Sequence, residues 1–314
     1  MRRAAFLLAA SLGAAGLLAL LVGATSGPPR HRHSVPIEAT TTPAIVPTGD
    51  STLTIECPAG YRLLNVSVSG GGGDVTVAGV VLTDDGRGAV VTLRNSAGET
   101  AIATLRGICV KARTGDARDQ GGREHSHPLG DPDLETATVE VDPFAGAAVS
   151  VPCPTGSVAT GGVAEVPTGV EVQGSYPVLD ATQAEWRFQL FNTDRTQAAN
   201  VTLKAICLPL WTERFRRDRH RHLLILVTPR IVGSVDESPR LARRPLATET
   251  TFSVECPDGY RAAGGGWSIP EGLFRILSES AGEGSYELAV EAASELPTVE
   301  LTALCLAQRT AKGG

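Results

Sequence analysis

Aromatic residues are scarce in this chain, at 4% of 314 positions, and methionine occurs once. A core built here must therefore rest on Val, Leu, Ile and Ala. Lysine is almost absent: Lys111, Lys204 and Lys312 are the only ones among 28 basic residues. No His-Glu-x-x-His occurs, so the commonest zinc-hydrolase signature is missing. Convincing helical periodicity is absent too, with only 211–220 hinting at it. A formal charge of −6, or −8 without Arg2 and Arg3, argues against a general nucleic-acid binder.

What is present begins with a targeting pattern. Arg2 and Arg3 precede an uncharged apolar run from Ala4 to Val22, and Val22-Gly23-Ala24 places small residues at alternate positions. That is the layout of an export signal, 1–24, or of an uncleaved membrane anchor. The expected location is secreted or cell-surface, with membrane contact only through this segment if it stays attached.

Six cysteines follow: Cys57, Cys109, Cys153, Cys207, Cys256 and Cys305. An exported chain meets an oxidising environment, where such cysteines pair. Six cysteines allow 15 pairings, and an internal repeat selects one. Cys-Pro-x-Gly opens three segments, at Cys57, Cys153 and Cys256. Each segment closes in an alternating apolar strand: TAIATLRGICVKA, NVTLKAICLPL and VELTALCLAQ. The expected bridges are Cys57–Cys109, Cys153–Cys207 and Cys256–Cys305.

Between the cysteines hydrophobicity has a period of two. Strands are expected at 53–57, 61–69, 75–82, 89–94 and 100–110, and at matching places in the other two segments. An upstream strand is expected ahead of each segment, at 44–46, 137–141 and 223–227. Short β-branched runs separated by turn residues predict an all-β protein of three tandem small antiparallel β-sandwich-like repeats, each stapled by one disulfide. The division is 25–50 linker, 51–113 first repeat, 114–135 linker, 136–210 second repeat, 211–248 basic linker, 249–309 third repeat and 310–314 tail. Gly264 to Gly266 sit where a strand bulges or another backbone approaches closely. They form no phosphate cradle, because no Lys-Ser/Thr follows.

The second segment reads Cys153-Pro154-Thr155-Gly156, Gly161-Gly162, Ser175-Tyr176-Pro177, Trp186, Asn192 and Cys207. This pattern resembles a repeated domain of secreted actinobacterial proteins, a family of unknown function. The third segment lacks the Trp and Asn, and the first moves its glycine run to Gly70–Gly73. The resemblance implies exported, disulfide-stapled β domains and transfers no catalytic residue.

All six histidines lie in three His-x-His pairs, one ahead of each segment: His31/His33, His125/His127 and His220/His222. Along an extended strand, residues two apart point the same way, so each pair can chelate a transition metal. Three units around a pseudo-threefold axis would bring six imidazoles to one octahedral ion. That arrangement resembles the His-x-His site at the tip of trimeric phage spikes. Against it, Arg32 and Arg221 sit between histidines, and composition assigns the same stretches to solvated linker. A pH-sensing role is a further reading of the same histidines. The connector 211–222 also offers Arg214, Arg216, Arg217, Arg219 and Arg221 as a polyanion-binding run.

The expected function is an exported non-enzymatic scaffold, adaptor or binding protein whose partner is an extracellular protein or a cell-surface glycan. Repetition supplies multivalency. The alternative is an envelope metal-binding protein using the three His-x-His pairs. A third reading, a carboxylate-based hydrolase, rests on Glu56 and Glu255 at matching positions before Cys-Pro.

Overall fold

A computed structural model of the chain describes residues 31–70, 74–118, 124–179, 184–213, 220–234, 248–269, 274–282, 284–292 and 298–311. The expected targeting segment, 1–24, lies outside them. The first unit contains β1 (Ile37–Val46), β2 (Gly49–Glu56), β3 (Tyr61–Gly70), β4 (Val75–Leu82), β5 (Gly88–Asn95) and β6 (Ala101–Lys111). A short ribbon, β7 (Ala117–Arg118) and β8 (Glu124–His125), leads onward. The second unit contains β9 (Asp133–Val141), β10 (Gly146–Pro152), β11 (Ser157–Glu165), β12 (Val170–Leu179), β13 (Ala184–Asn192) and β14 (Ala199–Pro209). In the third unit the first strand is split into β15 (Leu226–Val227) and β16 (Arg230–Ser234). There follow β17 (Thr248–Glu255), β18 (Tyr260–Ser268), β19 (Phe274–Ala281), β20 (Ser285–Ala292) and β21 (Thr298–Ala307). Among the described residues no helix occurs; Trp211 bridges Leu223, and most of the hinted helix, 214–219, lies outside the described residues.

The protein is all-β, and the three units correspond strand for strand. In each, the first, sixth and third strands form one antiparallel sheet, and the second, fifth and fourth form another. The two sheets enclose an apolar core. The stretch 25–50, read from sequence as linker, holds β1 and the start of β2, and 211–248 holds β15 and β16. Composition underrated β1 because it is an edge strand rich in Thr, with only Ala44 and Val46 buried. All three expected disulfides form: Cys57–Cys109, Cys153–Cys207 and Cys256–Cys305, with Cα separations of 5.8, 5.6 and 5.6 Å. Each ties the end of the second strand to the sixth, across the two sheets.

The closing strands carry the information for how the units meet. In β6, β14 and β21 burial alternates at first and then becomes continuous around the cysteine. Cys109, Cys207 and Cys305 face their own sandwich cores, whereas Val110, Leu208 and Leu306 face a fourth, central cluster. Val35, Leu129 and Leu224 join that cluster, each two residues beyond the second histidine of a pair. Burying one such side chain is worth about 1.5–3 kcal/mol, so this shared core holds the units around one pseudo-threefold axis.

The ring of units is closed by edge contacts of one kind. The third strand of each unit meets the fourth strand of another: β3 pairs β19 at Ser69↔Ser278, and β18 pairs β12 at Gly174↔Ser268 and Ser175↔Trp267. At the remaining junction, between β11 and β4, Lys204 donates to the Val80 carbonyl and pairs with Glu165. Arg94 donates to the Val166 carbonyl at 2.8 Å across the same boundary, and Arg275 pairs with Asp74 where the third unit meets the first.

The glycine runs find their explanation here. The ladder shifts register at Ala262/Gly264 and Ala159/Gly161, as expected for bulges. A methyl group on Gly264 would overlap the Thr160 carbonyl of the neighbouring unit, and one on Gly162 or Gly265 would overlap the ring of Trp186 or Tyr286. In the first unit the corresponding residues are Val66 and Ala89, both buried. Val with Ala replaces Gly with an aromatic, so bulk lost at one position is partly restored at the other. Gly162→Val should therefore destabilise the protein by about 1–3 kcal/mol through overpacking. Adding Trp186→Ala should relieve that strain, giving a favourable coupling of about 1 kcal/mol or more in a denaturant double-mutant cycle. Strictly additive costs would show that the two positions do not share space.

Candidate metal centre

The three His-x-His segments converge on the axis. His33, His125, His127 and His222 are buried, and His31 and His220 are half-buried. The structure thus corrects the reading of these segments as solvated linkers lying outside the folded units. Composition misleads here because the segments are polar yet short. Their neighbours Val35, Leu129 and Leu224 anchor them in the central core. The intervening arginines pose no electrostatic obstacle: Arg32 and Arg221 are exposed, as the period of two requires when the flanking histidines turn inward.

Each imidazole lies 4.5–5.4 Å, ring centre to ring centre, from four of the other five. The pairs outside this set are His31/His127, His33/His220 and His125/His222. The same three are never joined in a group of potential ligand atoms. Four neighbours and one opposite is the arrangement of an octahedron's six corners. His31, His125 and His220, the first members of the pairs, form one triangular face. His33, His127 and His222 form the face opposite.

Nitrogens point into the cluster. The Nε2 atoms of His31 and His125 are 3.1 Å apart, those of His125 and His220 3.3 Å, and those of His127 and His220 3.2 Å. In the inner face the other ring nitrogen is engaged outward. His33 Nδ1 lies 2.8 Å from the Gly115 carbonyl, His127 Nδ1 3.3 Å from that of Glu213, and His222 Nδ1 3.4 Å from that of Ala311. A carbonyl can only accept, so at His33 and His127 the proton sits on Nδ1 and Nε2 keeps a lone pair, while His222 Nδ1 lies 3.4 Å from the Thr310 hydroxyl as well. Nε2 of His33 and of His222 are buried without a hydrogen-bond partner. Ring nitrogens gathered about 3 Å from one another suit a shared cation, and a backbone carbonyl behind the ring is the usual outer support of a metal-bound histidine.

The supports form a ring, which sequence inspection missed. The backbone N–H groups of His33, His127 and His222 donate to the hydroxyls of Thr310, Thr114 and Thr212, at 3.0, 2.9 and 2.9 Å. The threonine N–H groups donate back to the same histidines' carbonyls, each at 2.9 Å. Every unit thus holds the next through its threonine, and the third holds the first. Meanwhile each inner ring is held by the carbonyl just after its own unit's threonine. The available signal was Cys-x-x-x-x-Thr after all three closing cysteines: Cys109/Thr114, Cys207/Thr212 and Cys305/Thr310.

Burial is the main reason these rings resist protonation. It lowers His33 and His127 from 6.5 to about 4, against the opposing help of their carbonyl partners. His222 falls to about 3, through burial and then the proximity of His33 and His127. The neutral imidazole is the form that binds a metal ion.

The other sequence candidates are not brought together. Glu56 and Glu255 are exposed on different units. Glu56 borders a shallow depression lined also by Thr83, Asp84, Asp85 and Arg87, where the Arg87 N–H and the Thr83 hydroxyl hold Asp85 below the usual carboxylate range. Arg221 is exposed, while Arg214, Arg216, Arg217 and Arg219 lie outside the described residues. No protein-family model matches the chain, and no curated protein is significantly similar to it.

Proposed function

We propose that this is an exported, non-enzymatic β-protein of the cell surface or extracellular space. In it one divalent transition-metal ion, held by six imidazoles, pins three disulfide-stapled units about a common axis. The observation that carries this reading is the octahedral grouping of every histidine in the sequence around one buried point, with backbone carbonyls behind the three inner rings. Six protein donors complete a coordination sphere, whereas catalytic metal sites keep a position open for water or substrate. The ion's role is accordingly structural. Three disulfides fit an oxidising compartment, in keeping with the export pattern of the first 24 residues. The outward sheet faces then serve a scaffold or binding role toward an extracellular protein or glycan. The adjacent pair Ile45 and Ile102, 74% and 76% exposed, is the apolar feature that supports it.

Elemental analysis of the purified chain tests the metal reading. One ion per chain is expected. The combined variant His33→Ala, His127→Ala, His222→Ala should hold none while retaining its three disulfides and β-type circular dichroism. A wild-type chain that takes up no transition metal from a mixed supply overturns the proposal.

A further inference from the structure

Resting on that metal reading, we infer that the site selects an octahedral divalent ion of the Fe(II), Co(II) and Ni(II) class over Zn(II), Cu(II), Ca(II) and Mg(II).

Donor type removes the hard ions first. All six donors are imidazole nitrogens, whereas Ca(II) and Mg(II) take oxygen ligands. Donor number and placement decide the rest. Structural Zn(II) sites are almost always tetrahedral with four ligands, commonly thiolates. Zn(II) bound that way would leave two imidazoles without a partner. In the inner face those rings are fully enclosed, and an unsatisfied buried polar group is costly. Cu(II) favours tetragonal geometry, which lengthens one axis of the octahedron. Here the three opposite pairs, His31/His127, His33/His220 and His125/His222, are related by the pseudo-threefold axis. The scaffold supplies three equivalent axes and singles out none for lengthening.

Size and charge agree. Neighbouring corners 3.1–3.3 Å apart along three edges place the centre of a regular octahedron about 2.2–2.3 Å from each nitrogen, a fit for a six-coordinate ion and longer than the roughly 2.0–2.1 Å of four-coordinate Zn–N bonds. The ligands are neutral and the centre is buried, so the ion's full charge is carried into a region of low polarity. That cost grows with the square of the charge and favours a divalent over a trivalent ion. Within the class, general affinity rises from Fe(II) through Co(II) to Ni(II).

The test is a competition on the full chain, stripped with a chelator and dialysed against equimolar Co(II), Ni(II), Zn(II) and Cu(II). Elemental analysis should find Ni(II) or Co(II) at least tenfold over Zn(II) and over Cu(II), although the general affinity series places Cu(II) first. Co(II)-loaded protein should show the weak visible absorption of six-coordinate cobalt. Removing two half-buried corners with His31→Ala and His220→Ala leaves four donors and should shift the preference toward Zn(II) by at least tenfold. Preferential uptake of Zn(II) or Cu(II), an intense tetrahedral cobalt spectrum, or an unchanged preference in the double variant overturns the selectivity while the one-ion reading stands. No uptake of any of the four overturns both.

Discussion

Loading the site with ion at about 1,000 times its dissociation constant should raise the unfolding midpoint by about 10 °C. Binding to the folded state alone at that excess contributes about 4 kcal/mol, and in a chain of this size each kcal/mol moves the midpoint by about 2–4 °C. The effect is large because the ion joins chain positions far apart. His31 and His125 are separated by 94 residues, and His125 and His220 by 95. The cluster also sits where the two ends of the described chain meet. Thr310 bonds His33, and Ser34 bridges Arg309. Calorimetry with and without Ni(II) measures the shift; a chelator should reverse it, and the triple variant at His33, His127 and His222 should show none. A midpoint indifferent to metal in the wild-type chain would mean that the imidazoles hold nothing.

The metal-free protein should lose stability steeply on acidification. His33 and His127 titrate near 4 and His222 near 3 when folded, against about 6.5 in an unfolded chain. Between those values the unfolded state binds protons that the folded state refuses, so stability falls as pH drops below about 6.5. The fall levels off once pH passes below the folded values of about 4 and about 3. At 1.36 kcal/mol per pKa unit, each histidine costs about 3–5 kcal/mol across that window. Together they cost on the order of 10 kcal/mol, comparable with the whole stability of a typical domain. Urea midpoints at pH 7, 5.5 and 4 should therefore drop sharply. They should drop less with the ion bound, because protons must then displace the metal before they reach the rings. Replacing all three inner histidines by Gln should flatten the dependence; an equally steep decline in that variant would assign it to other groups.

Several features of the chain were legible before any coordinates. The strands follow from the alternation of small β-branched residues, and the disulfides follow from three copies of Cys-Pro-x-Gly with matching closing strands. Both are local or repeated signals. The histidine types and their spacing were equally visible, but their environment was not. The connectors are polar, and polarity alone cannot separate a solvated linker from a segment pinned at both ends. The run Gly264–Gly266 was correctly placed at a bulge, yet its purpose lay elsewhere. Gly162 and Gly265 make room for Trp186 and Tyr286, side chains two strands away, and the first unit dispenses with glycine because Ala89 stands where they do.

By itself, the sequence determined the sheet character, the staples and a thrice-repeated pair of possible ligands, since each depends on residues close together or copied within the chain. Only the tertiary structure decided that the three copies close into a ring, with hydroxyls and carbonyls near each unit's end holding the histidines in register. That outcome depends on Val110, Leu208 and Leu306 turning toward a shared axis, a contact between surfaces about a hundred residues apart that no local pattern records.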